Sequence, residues 1–181
     1  MNNKSYKSAV VVIPPEAIWP PIQAIRERYD RGFRRWMPHI TLLYPFRPRR
    51  EFQAAAAQLT KAGERLAPFE VTLTGFDCFR HGGESHTLWL RPEPQEALVR
   101  LQTALWKAFP DCDEVRRFEN GFVPHLSVGQ AKGAEQVAQP LAGWERDWKP
   151  IRFQLSAVSL IWRGDAPDDV FRVGQTVELA G

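Results

Sequence analysis

Pro38-His39-Ile40-Thr41-Leu42 recurs further along the chain as Pro124-His125-Leu126-Ser127-Val128. Each copy reads proline, histidine, apolar, hydroxyl, apolar. On a β-strand successive side chains point to opposite faces, so the histidine and the hydroxyl share one face and the two aliphatic residues the other. Each copy therefore offers an imidazole beside a hydroxyl while burying its apolar pair. The surroundings match as well. A strand expected over 6–13 and a helix over 20–29 precede the first copy; a strand over 87–90 and a helix over 95–109 precede the second. The chain reads as two β-α-β units, each ending in the motif, and packing them about a pseudo-twofold axis would bring both motifs to one cleft.

Outward from the motifs, the remaining elements follow from pattern and punctuation. The run 39–44 is a strand stopped by Pro45 and Pro48, and 51–66 is an alanine-rich helix ending near Gly63. The alternation over 69–79 predicts a strand that pairs with 87–90 as a hairpin across His81-Gly82-Gly83-Glu84. Leu98, Leu101, Leu105 and Phe109 form one helical stripe between Pro94 and Pro110. A strand is expected over 122–128, a weaker helix over 134–144, one strand over 151–162 and a last one over 171–179. Interleaved helices with directly joined strand pairs point to an α+β fold with largely antiparallel sheets.

The 181-residue chain is 44% hydrophobic and 25% charged, within the ordinary globular range and long enough to bury a core without metal or disulfide staples. One domain spanning 1–181, with two lobes, is expected. Cys78 and Cys112 lie far apart in no metal-ligand spacing, which fits a reducing, cytoplasmic setting. The apolar run 9–13 is too short for a signal segment or a membrane span, so a soluble protein is expected. A net charge of +3 with clustered arginines permits a polyanionic partner without demanding one.

A lone histidine in a strand is more often a hydrogen-bonded core residue than a catalyst. Two of the four histidines of the chain occupying matched frames shifts the balance toward catalysis. Hydrolysis of a phosphodiester needs a base for the attacking oxygen and an acid for the leaving one, and imidazole serves in either role near neutrality. Thr41 and Ser127 would donate hydrogen bonds to the non-bridging oxygens. A metal-dependent reaction is disfavoured, because neither motif has an Asp or Glu in a ligand spacing. Arg34, Arg35, Arg47, Arg49 and Arg50 flank the first motif, and Arg116 and Arg117 precede the second, as guanidinium groups suited to phosphates or as ordinary surface arginines. Tyr44, Phe118 and Phe122 are candidates to stack on a base, with Tyr44 and Phe122 equally credible in the core. His81 and His86 read as surface residues, Cys78 as a buried strand residue, and the tryptophans as filling for the core and sheet flanks.

The paired signatures in PHITLLYPF and PHLSVGQ resemble those of the two-histidine (2H) phosphoesterase superfamily, which includes 2′-5′ RNA ligase-like proteins and RNA 2′,3′-cyclic phosphodiesterases. The likeness spans most of the chain. It implies a bilobed α+β fold with two mainly antiparallel sheets about a central cleft and helices outside. It further implies catalysis by His39, Thr41, His125 and Ser127 with no cofactor and no metal. The implied activity opens a 2′,3′-cyclic phosphate to a 2′-phosphate, or joins such an end to a 5′-hydroxyl as 2′-5′ ligation, or hydrolyses a 2′-5′ phosphodiester. A nucleotide-binding module without catalysis is the other expectation. Substrate contacts are expected from Tyr44, Arg47, Arg117, Phe118 and Phe122, the partner being RNA or a nucleotide, with no membrane and a monomeric chain.

Overall fold

A computed structural model describes residues 4–118 and 120–181. Its strands are β1 (Ser8–Val12), β2 (Ile40–Leu43), β3 (Phe69–Arg80), β4 (Ser85–Glu93), β5 (Leu126–Lys132), β6 (Ile151–Leu155), β7 (Ala157–Trp162) and β8 (Arg172–Glu178). Its α-helices are α1 (Trp19–Tyr29), α2 (Phe52–Gly63), α3 (Gln95–Ala108) and α4 (Ala134–Asp147). All strands join one antiparallel 8-stranded sheet in the order β6-β3-β4-β5-β2-β1-β7-β8. The α+β expectation is met, and the two expected sheets are the halves of this order. They meet at β2 and β5, where one residue pair, Ile40 opposite Leu126, forms the junction.

The two β-α-β units, β1-α1-β2 and β4-α3-β5, lie on either side of that junction, and their helices cross it. α1 packs on β5, the motif strand of the other unit, while α3 packs on β2. The crossings are close. Gly129 in β5 leaves room for the end of α1, since a Cβ there would sit 2.6 Å from Tyr29 Cβ and 3.1 Å from the Tyr29 carbonyl oxygen. On the other side, buried Gln102 of α3 donates from Nε2 to the Leu42 carbonyl of β2 at 3.3 Å. Behind the sheet, Ile40, Leu42, Leu126 and Val128 are all fully buried in the main core with Ile22, Leu98 and Leu101.

Several strands differ from their sequence expectation. The run 151–162 is two strands, not one, broken at Ser156, whose carbonyl accepts from Leu179 N at 2.7 Å. β6 and β7 stand six places apart in the sheet, which would be about 29 Å if it were flat. A one-residue link between them requires the sheet to curl until its ends approach. The second motif strand begins at Leu126 and runs to Lys132, later than the expected 122–128. Pro124 has no N–H to give to a ladder, whereas Gly129, Gln130 and Lys132, poor strand formers, are held by pairing with Ser85–Leu88.

Replacing Gly129 with alanine should force α1 away from β5 and lower stability by about 1–3 kcal/mol. Urea denaturation of the variant beside the parent checks this, and an unchanged midpoint would contradict the close packing.

Candidate active site

His39 and His125 each stand one residue before the first residue of their strand, on either side of the Ile40–Leu126 pair. Continuing that register by one residue in each direction sets His39 opposite Ser127 and Thr41 opposite His125. Directly opposed side chains lie about 5 Å apart at Cβ and diagonal ones about 7–8 Å, so the imidazoles face each other diagonally with a hydroxyl beside each. His39, Thr41, His125 and Ser127 are all partly exposed, while the aliphatic residues between them are fully buried. The alternation expected of the motif is thus present in both copies.

The local backbone fixes the chemistry of each ring. His39 Nδ1 lies 2.7 Å from the Met37 carbonyl oxygen, and His125 Nδ1 lies 2.8 Å from that of Val123. A carbonyl only accepts, so Nδ1 carries the hydrogen in both rings, and in the neutral form Nε2 is left with its lone pair. Burial lowers the pKa of His39 from 6.5 to about 4, opposed by the Met37 hydrogen bond and helped by the positive charges of Arg26 and His125. Burial lowers that of His125 as well, against the Val123 hydrogen bond. Both rings are therefore neutral at pH 7 before any anion arrives, and they are close enough for the charge of His125 to disfavour that of His39.

Each imidazole has its own aromatic wall. Trp36 stacks on His39 with centroids 4.8 Å apart and on Phe171 at 3.6 Å, and meets Tyr44 edge-on at 5.9 Å. On the other side, Phe79 meets His125 edge-on at 4.9 Å and stacks on Trp89 at 4.9 Å, with Trp89 6.0 Å from His125. Trp89 is directly opposite Ser127, only 4% exposed, and its indole N–H has no acceptor among the described residues. Arg26, buried among these groups, donates to Asp30 at 2.8 Å, Gln23 at 2.9 Å and the Trp36 carbonyl at 2.9 Å. It thereby ties α1 to the backbone of the residue that stacks on His39.

The flanking residues separate into groups. Tyr44 is half-buried against Trp36, with its hydroxyl donating to the Tyr6 carbonyl at 3.1 Å. Phe118 is 66% exposed, whereas Phe122 is 8% exposed and belongs to the main core. Arg47 is held by both oxygens of Asp111 at 2.6 and 2.7 Å, and Arg117 by both of Asp113 at 2.6 and 3.1 Å. Arg116 donates to Gln102 at 2.6 Å, Arg35 pairs with Asp169 at 2.6 Å and Arg50 with Glu51 at 3.6 Å. Arg49 lies over the Trp162 ring at 3.8 Å, and Arg34 is exposed. Of the other histidines, His81 is exposed and sits 2.9 Å from the Thr87 hydroxyl. His86, expected at the surface, is buried, because β4 starts earlier than expected and pairs it with Arg80 on one side and Ala131 on the other. Cys78 is half-buried in β3 rather than fully buried.

A profile of the 2′-5′ RNA ligase superfamily matches residues 14–167. The chain belongs to this superfamily. A Geobacillus kaustophilus protein described as a phosphoesterase is 31% identical over 131 residues, covering 71% of this chain and 72% of its own. A counterpart from Oceanobacillus iheyensis is 26% identical over 174 residues, 96% of this chain and 98% of its own. Among solved structures, TT0787 of Thermus thermophilus superposes with a TM-score of 0.66 at 20% identity over 97% of this chain and 98% of its own. E. coli LigT complexed with 3′-AMP gives a TM-score of 0.59 at 18% identity over 98% and 99%. The 2′-5′ RNA ligase superfamily chain thus shares its α+β fold with both. None of its described helices is long and apolar enough to cross a membrane.

The signals for Trp36, Phe79, Trp89 and Phe171 were weak in the sequence. Thr87, Trp89 and Arg91 alternate along β4, so strand parity alone sets Trp89 on the face of Ser127 once the hairpin and its register are known.

Because the folded chain holds both imidazoles below their ordinary pKa, the unfolded chain binds more protons as the pH falls through 6.5. Stability should therefore decline from pH 6.5 toward 4. His39→Asn, whose amide can still donate to the Met37 carbonyl, should make that decline shallower in urea titrations at several pH values. An equal slope in parent and variant would contradict the burial of His39.

Proposed function

We propose that the chain is a metal-independent phosphodiesterase that opens 2′,3′-cyclic phosphate ends of RNA or nucleotides to 2′-phosphates, with His39 and His125 as general base and general acid. The observation that carries this reading is the matched pair of imidazoles, each fixed in the same tautomer by its own main-chain carbonyl and each with a hydroxyl at the opposing strand position. Supporting it, the same-fold E. coli LigT has been solved with 3′-AMP and with phosphate.

In the forward direction, one neutral Nε2 takes a proton from water as its oxygen bonds to phosphorus. The phosphorus–O3′ bond breaks, and the other imidazole, protonated, gives its proton to the departing 3′ oxygen. Thr41 and Ser127 donate hydrogen bonds to the non-bridging oxygens, where charge accumulates in the transition state. The proton taken by one ring and lost by the other leaves the pair with exchanged protonation, restored through solvent. With a 5′-hydroxyl in place of water, the same groups join a cyclic phosphate end to it: the base takes the 5′-hydroxyl proton, the phosphorus–O3′ bond breaks, and a 2′-5′ linkage forms. A phosphodiester anion between the rings favours the imidazolium that the empty site disfavours, so the acid is charged when substrate binds.

Incubation with EDTA and a 2′,3′-cyclic nucleotide, or RNA bearing that end, should give a 2′-phosphate on chromatography. His39→Ala and His125→Ala should each lower kcat by at least about 100-fold, the usual worth of a general acid or base. Full activity in either variant, or activity abolished by EDTA, would overturn the proposal.

The pH dependence has a sign. Since both rings titrate below 6.5 in the free protein, with His39 at about 4, kcat/KM should peak on the acid side of 6.5 and fall as pH rises through 7. The kcat profile, reporting the complex, should be displaced to higher pH. A kcat/KM optimum at or above pH 8 would contradict neutral, buried imidazoles.

A further inference from the structure

Arg163 was not among the arginines singled out in the sequence, and its setting is unlike theirs. It follows the end of β7, two residues beyond Ile161, and is half-buried, with its guanidinium 5.7 Å from the centre of the Phe171 ring. Ile161 and Phe171 belong to the small cluster on the His39 side of the sheet, with Val11, Trp36 and Tyr44 packed into it. Arg26, Arg47 and Arg117 are each neutralised by a carboxylate. Arg163 has no carboxylate within ion-pairing distance among the described residues, and its one side-chain hydrogen bond is a long one, 3.3 Å to the Gly164 carbonyl. Asp165, whose ionised form it favours, is held instead by Lys7 at 2.5 Å. A half-buried cation without an ion-pair partner of its own is well placed to take an anion from solution.

Aromatic surface accompanies it. Tyr6, 63% exposed, meets Tyr44 edge-on at 5.9 Å, and Tyr44 leads through Trp36 to His39. Burial pushes the Tyr44 phenol up, and the charges of Arg163 and Arg35 partly offset this, which sets both guanidinium groups beside that ring. Arg35 is occupied by Asp169. Between His39 and Arg163 lie Trp36 and Phe171, so the guanidinium stands two rings away from the imidazole. It is displaced from the phosphate between the two histidines.

We propose that Arg163, with Tyr44 and Tyr6, forms a subsite for the phosphate and base of the nucleotide next to the reacting one, so that the natural substrate is an oligonucleotide end. This rests on the reading of the histidine pair as a phosphodiesterase site. It makes Arg163 a specificity-determining residue whose effect depends on substrate length.

The test compares a mononucleoside 2′,3′-cyclic phosphate with a tetranucleotide ending in the same group, using the parent, Arg163→Gln and Arg163→Lys. The ratio of kcat/KM for tetranucleotide over mononucleotide should fall about tenfold in Arg163→Gln, chiefly through KM, and be partly kept by Arg163→Lys. The salt dependence of tetranucleotide KM should weaken by about 0.7 in log–log slope, the share of one phosphate contact on a single strand. An unchanged ratio and slope would overturn the proposal. A separate arm reads fluorescence anisotropy of a labelled tetranucleotide with a 3′-phosphate and needs no turnover. If the parent turns over neither substrate but binds the oligonucleotide in an Arg163-dependent way, the subsite stands and the phosphodiesterase reading fails. Binding equal in parent and Arg163→Gln, with no turnover, would overturn both.

Discussion

The antiparallel contact of Ile40 with Leu126 is the constraint on which the site depends. It is short, and by itself a single ladder step would hold little. What makes it durable is the exchange of helices behind it. α1 leans on the strand that carries His125, and α3 on the strand that carries His39, so separating the two motifs would open the main core on both sides. Gly129 and Gln102 are the points where this exchange is closest. One is a missing side chain that admits a helix end; the other is an amide that reaches a strand carbonyl.

The electrostatics of the site follow from that packing. The residues that close the core behind the sheet also leave the motif face walled by aromatic rings, and such surroundings penalise imidazolium more than imidazole. The result is a pair of neutral imidazoles whose protonation a nearby negative charge would favour. Arg26 adds to the effect on His39, and the carboxylate of Asp30 opposes it. Three of the guanidinium groups flanking the motifs, those of Arg47, Arg117 and Arg35, are held by Asp111, Asp113 and Asp169, which limits the positive field to particular places.

The duplicated pentapeptide made the outline legible. Proline before histidine marks the strand start, and apolar residues in alternate positions decide which side faces the core. Helix α3 was visible because its stripe lies between Pro94 and Pro110, and α2 because its sequence is rich in alanine. The break at Ser156 was not legible, since Leu155 and Ala157 flank it without any glycine or proline, and only pairing with distant partners separates β6 from β7. The aromatic walls were likewise hidden, because Trp36 comes from a loop and Phe171 from the far end of the chain. Arginine clustering proved a poor guide to free charge: Arg47 and Arg117 have acids within reach that belong to other turns, or to the same turn, in ways spacing does not reveal.

The link at Ser156 also orders events in time. β1 is flanked by β2 on one side and, on the other, by β7, a strand made only after β2 to β6. A growing chain therefore carries the first motif beside an open, largely apolar strand edge until β7 is made, an edge suited to pairing with the wrong neighbour. The contacts that close it are among the most distant in sequence that the fold contains, and such contacts slow folding. The half of the sheet holding β3, β4 and β5 can assemble from consecutive chain, so the His125 side has a ready framework before the His39 side does.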